Sequence, residues 1–294
     1  MQVTLPNSAA SVGAAGTLSS MGTFIKVSHT LFSLPLVFAG LFLGAGGWPA
    51  PRTLALALVA AAGARTAAMA LNRIIDRKID AQNTRTRSRE LPSGRLSLGQ
   101  GWSVVAVGGA LYIGAAWALG PFILAISPIP LIVFVAYPYL KRFTPLCHFG
   151  VGVALGLSPW AGWLAVHQTW SGSGEVLPLV LFGVFWVAGF DIIYATLDVE
   201  FDRAHGVHSI PASLGRRRAI QASGLLHTVA WLGLVLLWFQ ANWTQWAWIP
   251  LLAVALVLYL EHRLAERVEI AFFNLNIVVG FVVLAVVITG VFWT

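Results

Sequence analysis

The chain has a single cysteine, Cys147, in 294 residues. One cysteine excludes an internal disulfide and any metal site built from several cysteines. Charged residues are also scarce, at 10% of the sequence, whereas hydrophobic residues make up 58%. Soluble proteins contain about 25% charged residues, so the composition excludes an ordinary soluble globular protein. We therefore expect an integral membrane protein that has the lipid bilayer as its main partner.

Long apolar segments define the expected fold. A segment of about 20 apolar residues can cross a bilayer as an α-helix, and the sequence contains nine, at approximately 27–46, 52–74, 99–119, 121–140, 146–168, 176–195, 217–240, 245–262 and 271–293. These predict an all-α polytopic membrane protein with nine transmembrane helices around a central cavity, formed as a single domain by residues 24–294. Residues 1–23, with no basic residue before Lys26, are expected to be a disordered tail and not a cleaved signal peptide.

Basic residues are distributed unevenly among the expected loops. If the N-terminus is cytoplasmic, every Lys and Arg except Arg52 and Arg65 lies on or near the cytoplasmic side. This asymmetry predicts a protein of a bacterial-type inner membrane with its N-terminus inside and its C-terminus outside. The net charge of +7 then reflects topology and does not indicate nucleic-acid binding. Cytoplasmic loops at about 73–98 and 196–216 are expected to cap the bundle.

Two polar motifs end apolar segments at this cytoplasmic face. Side chains four residues apart lie on one face of a helix, so each motif is expected to form a stripe of oxygen atoms. The stripes consist of Asn72, Asp76 and Asp80 in the first motif and of Asp191, Asp198 and Asp202 in the second. Such oxygen ligands suit Mg²⁺, which keeps several waters and is often completed by substrate phosphates.

Three further polar residues belong to the same end of the predicted bundle. Arg65 lies seven residues before Asn72, and an arginine inside a membrane is by default a functional residue. Its partner is a diphosphate or an aspartate of the second motif, and a purely structural salt bridge is the alternative. Tyr137 and Lys141 end the fourth apolar segment, where they either bind a ligand or anchor the helix at the interface.

These residues resemble the motifs of the UbiA superfamily of intramembrane aromatic prenyltransferases. The resemblance covers roughly residues 24–294, and residues 86–94 are similar to the family pattern T-x-x-R-P-L-P-S-G, with Glu90 where proline is usual. The other residues that match family motifs are Arg65; Asn72, Asp76 and Asp80; Tyr137 and Lys141; and Asp191, Tyr194, Asp198 and Asp202.

The resemblance implies a Mg²⁺-dependent transfer of a polyprenyl group from polyprenyl diphosphate to an aromatic acid. The implied metal ligands are Asn72, Asp76, Asp80, Asp198 and Asp202. The implied substrate-binding residues are Arg65, Asn72, Arg89, Tyr137, Lys141, Tyr194 and His208. The implied catalytic residues are Asp76, Asp191 and Asp198, of which Asp191 faces the acceptor phenol as an orienting group or proton acceptor.

The identity of the acceptor is left open. Residues 25–35 resemble the branch called 4-hydroxybenzoate polyprenyltransferase-like, which implies ubiquinone biosynthesis from 4-hydroxybenzoate. Part of that branch resembles enzymes of a menaquinone route that prenylate 1,4-dihydroxy-6-naphthoate. His208 replaces the lysine of many relatives by a titratable group and is expected to contact the site from a cap loop. His148 is expected to be a packing residue.

Two other classes of membrane protein fit parts of the pattern. A CDP-alcohol phosphatidyltransferase also uses intramembrane aspartates and a metal. Its D-x-x-D-G-x-x-A-R pattern is missing, because Asp76 and Asp80 are four residues apart and Ala81 follows. A cation-coupled transporter would place its acidic residues near the membrane midplane on broken helices, whereas these acids are expected at one face.

Overall fold

The computed structural model describes residues 24, 30–266 and 274–293, and within these ranges the regular secondary structure is helical. The helices are α1 (Thr30–Ala45), α2 (Pro51–Gln82), α3 (Leu98–Leu119), α4 (Pro121–Leu140), α5 (Cys147–His167), α6 (Leu177–Ala195), α7 (Val199–His205), α8 (Ile210–Leu214), α9 (Arg216–Gln240), α10 (Trp248–Arg263) and α11 (Asn276–Phe292). α4 is interrupted at Ser127 and α5 at Leu157. The expected tail of residues 1–23, and Lys26, lie outside the described residues.

Seven described segments are long and apolar enough to cross a membrane, and they coincide with the second to eighth expected spans. Two shorter apolar helices, Leu34–Ala45 and Asn276–Phe292, coincide with the first and ninth. The all-α membrane class is therefore confirmed, while the count of nine spans stays a prediction.

Local sequence signals set where the first membrane helices begin and end. α2 begins at Pro51, whose fixed φ suits the first position of a helix. α3 begins with a capping box in which the side chains of Ser97 and Gln100 each accept a hydrogen bond from the other's backbone N–H. Gly120, at φ 142°, ends α3, and Pro121 begins α4. A residue with a side chain would be strained at this φ.

α2 and α3 pack closely through two glycines. A Cβ atom on Gly63 would lie 2.7 Å from the carbonyl oxygen of Gly108, and one on Gly108 would lie 2.8 Å from the carbonyl oxygen of Gly63. Small residues allow membrane helices to approach this closely. The contact fixes α2, which carries the first aspartate motif, against α3.

α6 carries Asp191 and is the most enclosed of the long membrane segments. It is apolar on all sides, which suits an interior position, and it packs mainly against α5 and α9. The outer face of α9 is different, because it exposes Leu225, Leu232, Leu236 and Phe239. We expect lipid to cover such a face.

Both expected cap loops differ from the structure in their extent. The first, expected at about 73–98, begins only after α2 ends at Gln82, so the first cap loop comprises residues 83–97. The polar sequence remains helical there because its carboxylates face inward, with Asp76 and Asp80 buried. The second, expected at about 196–216, contains a 3₁₀ turn, α7 and α8. Residues 196–215 are called the second cap segment below.

Candidate active site

The two aspartate motifs meet at one end of the helix bundle. In the first motif, Asn72 Nδ2 donates a hydrogen bond to Asp76 Oδ2 at 3.1 Å, and Asp80 lies one turn further along the buried face of α2. Asn83 follows the last residue of α2 and donates through Nδ2 to Asp198 Oδ1 at 2.7 Å. This hydrogen bond joins the end of the first motif to the second motif.

The second motif does not form the single regular stripe that its spacing predicts. α6 ends at Ala195, the segment Thr196–Asp198 is a 3₁₀ turn, and α7 begins at Val199. A 3₁₀ turn has three residues per turn, so the helical register changes between Asp191 and Asp198. As a result, Asp191 contacts α5, whereas Asp198 contacts the first cap loop.

Two carboxylates of the first motif are paired with cations. Lys141 Nζ lies 2.6 Å from Asp76 Oδ2, and Arg89 Nη1 donates to the two carboxylate oxygens of Asp80 at 2.7 and 2.8 Å. The family resemblance implies that both cations bind substrate. The structure places them on the predicted metal ligands, which brings the two sets of residues into one cluster.

Arg85 makes the corresponding contact in the second motif and was not among the predicted site residues. Its Nε lies 2.9 Å from Asp198 Oδ1, a second nitrogen donates to Asp198 Oδ2, and its Nη1 donates to the Tyr194 hydroxyl at 2.7 Å. Burial alone would lower the pKa of Arg85, but the hydrogen bonds to Asp198 and Tyr194 outweigh burial and raise it above its usual value. Arg85 therefore stays a cation.

The sequence contains a weak signal for the contact of Asn83 with the second motif. Asn83 continues the first stripe, because it lies three residues after Asp80 and residues three apart are neighbours on a helix. Arg85, in contrast, is indistinguishable from the other basic loop residues until the fold brings it to Asp198.

The chemistry of the site suits a hard cation. Asp76 is 2% exposed, and its Oδ1 has no hydrogen-bond partner in the described part of the chain, with Arg142 Nη2 3.8 Å away. An unsatisfied buried acceptor costs about 1–3 kcal/mol. Carboxylate and amide oxygens are ligands that Mg²⁺ prefers. Among the described residues, no three acidic, His or Cys side chains are grouped as they would be around a metal ion.

Asp191 has a partner that the sequence analysis missed. His148 Nδ1 lies 2.7 Å from Asp191 Oδ2, so His148 is buried as a packing residue is expected to be and in addition holds a carboxylate of the second motif. The two residues are 43 positions apart on different helices, and no local spacing relates them.

The second cap segment closes the site from the other side. Asp202 is buried and accepts a hydrogen bond from Ser209 Oγ at 2.8 Å. The backbone N–H of His208 donates to the carbonyl oxygen of Lys141 at 2.7 Å. The His208 side chain itself is exposed, so substrate binding by this imidazole stays a prediction.

An apolar cavity of about 390 Å³ lies within the bundle, and Tyr137 in its lining is one helical turn before Lys141, which pairs with Asp76. Arg65 and Tyr137 line it near the aspartate motifs, and Trp160 and Trp170 line its other end, where their ring centroids are 5.6 Å apart. One wall is a row of alanines on α2, namely Ala57, Ala60, Ala61, Ala64 and Ala68. At a rise of 1.5 Å per residue, this row is about 16 Å long.

Fold and site define an integral membrane protein with an acidic, cation-paired site at the end of an apolar cavity. The sequence profile of the UbiA prenyltransferase family matches residues 33–271. The chain belongs to this family, and it is therefore a prenyltransferase.

Individual relatives agree with this assignment. The chain is 30% identical to the 4-hydroxybenzoate solanesyltransferase of Synechocystis sp. over 88% of this chain and 90% of that one. It is 27% identical to the 4-hydroxybenzoate octaprenyltransferase of Vibrio campbellii, over 91% and 94% of the respective chains. Among solved structures, an apo UbiA homologue from Aeropyrum pernix matches with a TM-score of 0.82 and 36% identity, over 89% of this chain and 98% of that chain.

Proposed function

We propose that the chain transfers a polyprenyl group from polyprenyl diphosphate to an aromatic acid and releases diphosphate. The observation that carries the proposal is that the two aspartate motifs are joined by Asn83, and that Tyr137, in the lining of an apolar cavity, is one helical turn before Lys141, which pairs with Asp76. A polyprenyl diphosphate has the complementary form, with a highly charged head and a long apolar tail. The relatives named 4-hydroxybenzoate octaprenyltransferase and solanesyltransferase support this reaction class.

The diphosphate head is proposed to bind with Mg²⁺ between the two motifs. A structure of a UbiA homologue from Archaeoglobus fulgidus bound to GPP and Mg²⁺ supports this part of the proposal. The proposed ligands are Asn72, Asp76, Asp80, Asp198 and Asp202. When bound, Mg²⁺ would neutralise charge on the diphosphate and so make it a better leaving group.

Cationic side chains of the protein would also neutralise charge on the diphosphate. Arg85, Arg89 and Lys141, which pair with motif carboxylates, would also be in position to hold phosphate oxygens of the donor. Arginine is well suited to phosphate because its fork of N–H groups matches two oxygens. Arg65 and the hydroxyl of Tyr137, which line the mouth of the cavity, would hold the link between the head and the tail.

The reaction then consists of breaking one bond and forming another. The allylic carbon–oxygen bond breaks, and its electron pair leaves with the diphosphate. A ring carbon beside the acceptor hydroxyl forms the new carbon–carbon bond, and the proton on that carbon passes to a base. Fixed charges placed where charge develops stabilise such a transition state, and a cavity among apolar helices keeps water from the cation.

Asp191 is the proposed residue on the acceptor side. Its side chain is 26% exposed, whereas that of its partner His148 is 3% exposed, so Asp191 is the member of the pair that can meet a ligand. We propose that its carboxylate orients the acceptor phenol or accepts its proton.

The proposed setting is the inner membrane of a bacterium, with the site facing the cytoplasm and the chain inserted with its N-terminus inside. The acceptor is proposed to be 4-hydroxybenzoate, for ubiquinone biosynthesis, or a dihydroxynaphthoate, for menaquinone biosynthesis. Purified protein should be incubated with Mg²⁺, a polyprenyl diphosphate and either 4-hydroxybenzoate or 1,4-dihydroxy-6-naphthoate. A product with the mass of a prenylated acid is expected with one acceptor, and hydrolysis of the donor without a prenylated product from either contradicts the proposal.

A further inference from the structure

We infer that His148 is a positioning residue that holds the Asp191 carboxylate for the acceptor and links it to the second cap segment. The inference rests on the proposed function, because it concerns the acceptor half of that reaction. It adds a role for a residue whose ring nitrogens, in the described part of the chain, contact Asp191 and Ile210 and none of the five proposed metal ligands.

Both ring nitrogens of His148 are engaged. His148 lies in the first turn of α5 and is 2% exposed. Its Nδ1 lies 2.7 Å from Asp191 Oδ2 on α6, and its Nε2 accepts a hydrogen bond at 3.2 Å from the backbone N–H of Ile210 on α8. The imidazole thus connects three helices with hydrogen bonds at both of its ends.

These contacts assign a tautomer to the neutral ring. A backbone N–H can only donate, so Nε2 must be the unprotonated nitrogen while the Ile210 bond exists. The proton of the neutral ring is then on Nδ1 and is donated to Asp191. His148 therefore fixes one oxygen of Asp191 and so orients the carboxylate. Hydrogen-bond partners orient metal-binding side chains in the same way.

The link to Ile210 connects the acceptor side with the diphosphate side. Ser209, the preceding residue, donates from Oγ to Asp202, and its neighbour His208 donates from its backbone N–H to the carbonyl oxygen of Lys141. Consecutive residues of the second cap segment therefore contact two proposed diphosphate-binding residues and His148. A shift of this segment on donor binding would change the Ile210 hydrogen bond and, through His148, the orientation of Asp191.

The first test compares two variants at His148. His148→Phe keeps a ring of similar size and removes both hydrogen bonds, whereas His148→Asn keeps an amide N–H near the position of Nδ1. We expect His148→Phe to lower kcat by about tenfold or more while donor affinity stays within about threefold, as for an interaction that acts in the transition state. His148→Asn should recover part of kcat.

The second test removes only the link to the cap. Ile210 is the first residue of α8, a position that tolerates proline, and Ser209 before it has the extended φ of −146° and ψ of 157° that a following proline requires. Ile210→Pro therefore deletes the N–H with little change in backbone conformation. Ile210→Ala is the matched control, because it shortens the side chain and keeps the N–H.

We expect Ile210→Pro to lower kcat several-fold relative to Ile210→Ala. Adding Ile210→Pro to His148→Phe should cause no further loss of kcat, because both substitutions remove the same hydrogen bond. Nitrogen NMR of ¹⁵N-histidine-labelled protein provides a readout that does not need the reaction. The His148 signal, identified by its loss in His148→Phe, should report a proton on Nδ1 in the wild type and a changed tautomer equilibrium in Ile210→Pro.

Two results would overturn the inference. One is a His148→Phe variant that transfers prenyl groups at the wild-type rate or loses donor affinity together with kcat. The other is an Ile210→Pro variant with the kcat and the His148 tautomer of Ile210→Ala. The proposed function is contradicted separately, by a wild-type protein that binds the donor but prenylates neither acceptor. The two results above can be obtained only with an active wild type, so the two kinds of failure are distinguishable.

Discussion

Lys141 Nζ lies 2.6 Å from Asp76 Oδ2, so a lysine at the end of α4 neutralises a buried carboxylate on α2. Arg89 on Asp80 and Arg85 on Asp198 repeat this arrangement. Each of these three carboxylates therefore has a cation beside it without a ligand. If Asp76, Asp80 and Asp198 would hold the metal and Lys141, Arg89 and Arg85 would hold phosphate, the ion pairs between them compete with both ligands.

Removing one of these cations should therefore affect metal and donor in opposite directions. We predict that Arg85→Gln strengthens metal binding in the absence of donor by about threefold or more, because Asp198 loses a competing cation. The same variant should weaken donor binding by about tenfold, because a phosphate contact is lost. Electron paramagnetic resonance with Mn²⁺ and a calorimetric donor titration measure the two affinities.

The matched control for this variant is Arg87→Gln, which removes an exposed arginine from the same loop and should change neither affinity. If Arg85→Gln weakens metal and donor binding alike, Arg85 supports the fold of the site and does not compete with the metal.

The motif carboxylates should be necessary for transfer. We predict that Asp76→Asn and Asp198→Asn each lower turnover by about a hundredfold or more, because each removes an anionic ligand of a metal that stabilises the leaving group. Glu200→Gln, at an exposed acid between Asp198 and Asp202, should leave turnover unchanged. The measurement is a transfer assay with and without a chelator, and undiminished transfer in excess chelator would contradict metal dependence.

Asp191 and Asp202 should have separable roles. We predict that Asp191→Asn keeps donor affinity within about threefold and lowers kcat strongly, because the side-chain hydrogen bond that Asp191 makes among the described residues goes to His148. Asp202→Asn should instead weaken donor binding. Titration of both variants with a polyprenyl diphosphate and Mg²⁺ separates these outcomes, and an equal loss of affinity in both variants would make Asp191 a metal or phosphate ligand.

The sequence could predict the first motif because all its members lie on one helix. The four-residue spacing of Asn72, Asp76 and Asp80 fixes their common face, and α2 stays helical to Gln82. In the second motif, spacing does not fix a common face for all members, because the 3₁₀ turn at Thr196–Asp198 changes the helical register. Periodicity reveals which residues can share a face, but not where a helix tightens.

Contacts between distant segments could not be predicted from spacing. Arg85 reaches Asp198 across 113 residues, and His148 reaches Asp191 across 43. Such pairs depend on how the helices pack and where the cap loop folds back. Each residue has an ordinary alternative explanation in the sequence: Arg85 as a positive charge near the membrane and His148 as a packing residue.

The proposed orientation can be tested by labelling. In a background with Cys147→Ser, cysteines placed at the exposed positions Ser93 and Ser213 should react with an impermeant thiol reagent only from the cytoplasmic side. A cysteine at Ser171, in the connection between α5 and α6, should react only from the other side. The expectation follows from the distribution of basic residues. Labelling of all three positions from one side would contradict both the orientation and the expected arrangement of spans.

The length of the cavity should determine which donors are accepted. Ala61 lines the cavity four residues, or about 6 Å along the axis of α2, beyond Arg65. We predict that Ala61→Phe lowers kcat/KM for long polyprenyl diphosphates by about tenfold or more, because the added ring would overfill a packed site. Geranyl diphosphate, whose tail ends before the obstruction, should keep most of its rate.

Leu58→Phe is the matched control, because Leu58 is 42% exposed on the same helix and is not among the residues that line the cavity. It should leave the dependence on donor length unchanged. Trp170→Ala should act in the opposite direction to Ala61→Phe, because it removes an aromatic ring from the far end of the cavity, and so should favour longer donors. A competition assay with a mixture of donors of different length measures all three variants. If Ala61→Phe lowers the rates of short and long donors by the same factor, the cavity does not hold the prenyl tail.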